Sequence, residues 1–130
     1  MTAYGKLVRQ LWFTIGCCLV VLIVYLSLAS GPDVPMAHGL DKLGHALAYG
    51  TLMLWFAQLY VRPRWALVAL ACVLLGVVLE YLQGFTSYRT FSYVDMAANL
   101  AGVVVGLTLA LAGIDDCIER VERWVYGTPA

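Results

Sequence analysis

The residues able to do chemistry fall in a few short stretches: Asp41-Lys42-x-x-His45-x-x-x-Tyr49, Glu80-x-x-Gln83 and, after a loop holding Arg89, Asp95-x-x-x-Asn99. A histidine with neighbouring carboxylates is equipment for general acid–base catalysis, so His45 with Glu80 or Asp95 is the candidate catalytic set. Lys42 and Arg89 are suited to holding an anionic group such as phosphate. Asp41, Tyr49, Gln83 and Asn99 complete the candidate ligand-binding residues. No nucleophile stands out, because Ser87 and Ser92 lie in a loop without the context of a serine hydrolase. His45, Glu80, Asp95 and Asp41 are metal-ligand types, but their spacing matches no metal signature, and no metal or other cofactor is expected. The plainer reading of the same residues is a structural network, with Arg89 paired to Glu80 or Asp95 and Lys42 to Asp41.

The elements that position these groups are written in the composition. The chain has 130 residues, room for one domain, and is 62% apolar and 12% charged. Soluble domains average about 45–50% and about 25%. A water-soluble fold of this length could not cover so much apolar surface, so lipid is the better solvent for it. Net charge is zero and no basic patch is present, which argues against a nucleic-acid partner. Cys17, Cys18, Cys72 and Cys117 show no CxxC spacing and read as small packing residues.

The pattern predicts an all-α membrane protein, a bundle of four transmembrane helices over about 11–30, 42–60, 65–83 and 94–113. Each run is close to the roughly 20 helical residues that cross a bilayer core. The first is longer than the apolar stretch of a signal peptide, so it is expected to be a retained helix. Residues 1–113 form the membrane domain. Beyond it, Ile114, Cys117, Ile118, Val121 and Val125 line one side of a helical pattern whose other side is charged. This predicts a cytoplasmic amphipathic tail over 114–130, lying on the membrane with Trp124 and Tyr126 at its interface; a partner-binding helix is the alternative. Lys6, Arg9, Arg62, Arg64, Arg120 and Arg123 share one side of this topology, against Lys42 and Arg89 on the other. The excess of basic residues places both termini in the cytoplasm of a multi-pass protein of the inner (cytoplasmic) membrane.

On these helices Asp41, His45 and Tyr49 form one stripe, Glu80 and Gln83 share a face, and Asp95, Asn99, Gly102 and Gly106 share another. The second and fourth helices enter from the side where the third leaves, so their polar ends meet at one depth near the outer interface. The inner halves carry no ionisable residue, which speaks against a transporter or channel. Gly102-x-x-x-Gly106 lets another helix approach the fourth closely, within the monomer or across a homodimer. Phe85, Tyr88, Phe91 and Tyr93 read as an interfacial aromatic belt.

The ordered set Asp41-Lys42-x-x-His45, Tyr49, Glu80-x-x-Gln83, Arg89, Asp95, Asn99, Gly102 and Gly106 resembles the VanZ-like family of small bacterial membrane proteins, named for an association with teicoplanin resistance. The resemblance covers roughly Asp41 to Gly106 and leaves the first helix and the tail without a family mark. It implies work on the cell envelope. An outward-facing polar pocket would bind or modify an amphiphilic ligand: a lipid-linked wall precursor, a phospholipid headgroup or a lipoglycopeptide. As an enzyme it would be a hydrolase or transferase acting on a lipid headgroup. The competing expectation is a non-enzymatic scaffold whose polar cluster locks the helices together. Resistance itself does not follow, since function belongs to the site and not to the fold.

Overall fold

The computed structural model describes residues 3–29, 39–114 and 120. Among them are four α-helices: α1 (Ala3–Leu28), α2 (Leu40–Ala57), α3 (Trp65–Gly84) and α4 (Tyr93–Leu111), with one 3-10 turn at Arg62–Arg64. No strand occurs among the described residues. The boundaries of α2, α3 and α4 lie within a few residues of those expected. Helix α1 starts well before its apolar run, because Lys6, Arg9 and Gln10 continue the helix beyond the lipid-facing stretch. Most of the tail predicted over 114–130 lies outside the described residues, as does most of the loop before α2.

Among the described residues three segments are long and apolar enough to cross a membrane: Gly5–Leu28, Arg62–Gly84 and Tyr93–Leu111. The sequence-based expectation of four is therefore met for three. Helix α2 differs because Asp41, Lys42 and His45 crowd its first two turns. It is nonetheless the hub of the bundle, packed most extensively along α4 and also touching α1 and α3. Tyr49, Leu52, Met53 and Ala57 of α2 build the core with Trp65, Cys72, Val103 and Ala110. Large apolar side chains cover the outside, among them Val21 and Leu22 on α1, Leu67 and Leu74 on α3, and Val104 and Val105 on α4. A surface of that kind suits lipid and not water.

The α2–α4 crossing rests on small residues. A Cβ added at Gly102 would lie 2.2 Å from the Ala46 carbonyl oxygen, and one at Gly106 would lie 2.4 Å from that of Gly50. The two backbones touch, so any side chain at either glycine would separate them. Ala46 meets Gly102 and Gly50 meets Gly106, so α2 and α4 run parallel, with α3 returning between them in sequence. On the other flank Gly16 of α1 receives the rings of Trp55 and Phe56. Trp12 stacks on Trp55 with centroids 4.4 Å apart, and Trp55 Nε1 donates to the Trp12 carbonyl at 2.9 Å.

Chain ends in an apolar medium need partners for their free carbonyls. Trp65 Nε1 supplies them where α2 stops, donating to Ala57 O at 3.0 Å and Tyr60 O at 2.8 Å, while Arg9 donates to Leu59 O. Thr14 and Thr108 return their hydroxyls to the carbonyls four residues back. These ties leave few orphaned polar groups along the described helices.

Candidate functional site

The end of the bundle opposite the Arg62–Arg64 turn gathers the ends of α1 and α3 and the starts of α2 and α4. Here the small-residue crossing sets the register in which α2 meets α4. One to two turns beyond it, Lys42 Nζ lies 3.0 Å from Asp95 Oδ1 and also pairs with Asp41. His45 Nε2 is 4.0 Å from Asp95 Oδ2, and His45 Nδ1 is 3.1 Å from Asn99 Oδ1. The imidazole thus stands between the two, with Nδ1 toward the Asn99 amide and Nε2 toward Asp95. Asp41, Lys42, His45, Asp95 and Asn99 are thus one connected chain of polar groups.

Exposure falls along that chain. The Asp41 and Lys42 side chains are 44% and 39% exposed, His45 and Asp95 18% and 16%, and Asn99 is buried. Asn99 fits because Gly76 stands opposite: a Cβ there would lie 3.1 Å from Asn99 Nδ2 and 3.2 Å from the Tyr49 ring. The result is a graded polar network, with charged groups at its half-exposed end and a partly buried histidine and a buried amide at the other.

Helix α4 opens on Ser92-Tyr93-Val94-Asp95, the sequence of a capping box. Ser92 Oγ accepts the Asp95 N–H at 3.2 Å, as such a box requires. The reciprocal arm is different. The Ser92 N–H goes to Glu80 Oε1 of α3 at 2.6 Å. Glu80 therefore does across the bundle what Asp95 would do within its own helix, and the Asp95 carboxylate is released toward Lys42 and His45.

The residues picked from sequence accordingly divide. His45, Asp95, Asp41, Lys42 and Asn99 come together, and Tyr49 lies buried one turn below His45. Glu80 is 1% exposed and holds the start of α4; no ion pair or hydrogen bond joins it to His45 or Asp95. Gln83 is buried and donates to Ser27 O at 2.9 Å, tying α3 to the end of α1. Arg89 does not pair with Glu80 or Asp95. Its guanidinium is 3.5 Å from Leu26 O on the α1 side of the loop, because Glu80 is enclosed and Asp95 is held by Lys42. Tyr88 donates to Leu28 O at 2.6 Å beside it. Gly102 and Gly106 pack inside the chain against α2, so a dimer through α4 would have to use its other face. Among the described residues no three His, Cys, Asp or Glu side chains converge as a metal would need.

Sequence reasoning missed Ser92, Gly76 and the partner half of the crossing, Ala46-x-x-x-Gly50. The last was visible as a small-x-x-x-small pair on α2, in step with Gly102-x-x-x-Gly106.

An all-helical bundle with apolar outer faces and one polar end defines a class of membrane-type protein, and the comparisons give the family. The VanZ/LLP1 family profile matches residues 7–114, and the chain belongs to that family. The match takes in α1, whose end is held by Gln83 and Tyr88, so the family signature is wider than the motifs between Asp41 and Gly106. An uncharacterized protein of the fission yeast Schizosaccharomyces pombe is 31% identical over 124 residues, covering 92% of this chain and 75% of the relative. That relative is fungal, so neither a bacterial source nor glycopeptide resistance follows for this chain. No solved structure matches.

Proposed function

We propose that this VanZ/LLP1 protein crosses the membrane with all four helices and uses its polar end to bind the headgroup of an amphiphilic envelope lipid. Helix α2 then spans inside the bundle, its polar turns screened from lipid by α4. The observation that carries the reading is the connected chain from Asp41 and Lys42 through Asp95 and His45 to Asn99, which grows more enclosed with depth. The half-exposed Lys42 and Asp41 at its outer end are within reach of a headgroup, as groups enclosed between two helices would not be. The excess of basic residues at the opposite end supports cytoplasmic termini and a polar end on the far side of the membrane. Of the ligand chemistries, a phospholipid headgroup or a lipid-linked wall precursor fits, since its hydroxyl or amine donors would meet two carboxylates and its phosphate would meet Lys42. Hydrolysis or transfer on that headgroup would use His45 Nε2 as the base with Asp95 beside it.

Lipid retention, read by native mass spectrometry of the protein released from native membranes, tests this. His45→Ala and Asp95→Asn should each lose a headgroup-selective lipid while keeping the wild-type melting temperature to within a few degrees. A lowered melting temperature with unchanged lipid would leave the scaffold reading instead. That second reading already has support in Glu80 and Gln83, whose polar atoms are engaged by backbone groups of α4 and α1.

A further inference from the structure

At the other end of the bundle an apolar groove of about 750 Å³ lies between α1, α2 and α3. Leu52 and Cys72 form its buried floor, with Val20 and Phe56 as walls. Its rim on α3 is lined from Leu67 through Ala71 to Leu75 and ends at Arg64, with Tyr60 alongside. From Arg64 to Leu75 is roughly 16 Å of helix at 1.5 Å per residue. That is about half of a hydrocarbon core roughly 30 Å thick. The groove is therefore one leaflet deep, and its mouth lies at the level of an interface.

Charge at the mouth selects the occupant. Arg64 is exposed and has no carboxylate partner among the described residues. Arg62, beside it, is 5.5 Å from the centre of the Trp65 ring, and no acidic residue lies between Asp41 and Glu80 in the sequence. Arg9 reaches the same turn through Leu59 O. We infer that this groove is a binding site for an anionic phospholipid of the adjoining leaflet, with an acyl chain along α3 over Cys72 and the phosphate at Arg64. The site shares no residue with the polar pocket and stands without it. A guanidinium recognises phosphate with paired donors, while the floor offers a chain only apolar contact.

The test is native mass spectrometry of the full chain in mixed micelles containing equal amounts of dioleoyl phosphatidylglycerol and dioleoyl phosphatidylcholine. The wild type should retain the glycerol lipid about fivefold over the choline lipid, the ratio expected of about 1 kcal/mol per arginine at a membrane surface. Arg64→Gln should bring the two lipids to parity with total lipid retained. Ala71→Trp, which fills the rim from its exposed side, should lower retention of both. Circular dichroism melts identify any variant that fails to fold, and Arg64→Lys, which keeps the charge, should hold most of the preference. Equal retention by the wild type would overturn the site, as would a preference surviving both Arg64→Gln and Ala71→Trp. So would a preference that appears only after residues 115–130 are removed, since the groove would then belong to that segment.

Discussion

At the scale of single residues, the unexpected assignment is Glu80. An enclosed carboxylate invites a catalytic role, yet this one receives the Ser92 N–H and completes the cap of α4 from a neighbouring helix. Losing a hydrogen bond to a charged group and leaving a buried donor unmet costs about 1–3 kcal/mol. Glu80→Ala should therefore lower the melting temperature in detergent, and Glu80→Gln, which keeps an acceptor, should recover much of it. Both variants should still bind the pocket's lipid wherever they fold. Loss of lipid from a normally stable Glu80→Gln would instead return Glu80 to the binding set. Asn99 is a second such residue. It was legible as a polar member of the fourth helix, but its place on the His45 ring depends on Gly76 opposite, which nothing in the spacing announces.

At the scale of elements, the α2–α4 crossing governs the site. Gly102 and Gly106 have backbone carbonyls from α2 where a methyl group would go, so neither neighbour can give way by turning a side chain. Gly102→Ala should destabilise the fold by about 1–3 kcal/mol, the usual cost of overpacking, and loosen the Lys42–Asp95 contact with it. Gly44 provides the contrast: it is exposed on α2 with nothing within 4 Å of an added Cβ. Gly44→Ala should be neutral or stabilising, by up to about 1 kcal/mol, because glycine weakens a helix interior. Thermal melts of the two variants side by side give the answer. If both behave alike, the close approach of the helices is not what holds them.

At the scale of the whole molecule, two ends differ in kind. One has arginines and an apolar groove; the other has the Asp41–Lys42–Asp95 ion pairs and outward-facing aromatics such as Phe85 and Tyr93. The excess of basic residues at one end predicts an orientation that labelling can read directly. In a background with the native cysteines replaced, Ser87→Cys should react with a membrane-impermeant maleimide on intact cells. Pro63→Cys should react only after permeabilisation. The reverse labelling would turn the pocket toward the cytoplasm and remove the envelope reading, while leaving the helices as they are.

Much of this architecture is determined by the sequence alone. Helix length and apolar content are local quantities, set by consecutive residues and the thickness of a bilayer, so α3 and α4 could be placed almost to the residue. The pooling of polar groups at one end was also legible, because alternating helix direction is enough to bring those ends to a common depth. What each polar group bonds to was decided only by the tertiary structure. Glu80, Gln83 and Arg89 have the same types and nearly the same depth as Asp95, Asn99 and Lys42, yet they face the ends of α4 and α1. A hydrogen bond reaches about 3 Å, and rotation about a helix axis moves a side chain several times that distance. Spacing fixes which residues share a face; only packing of one backbone on another fixes what that face meets.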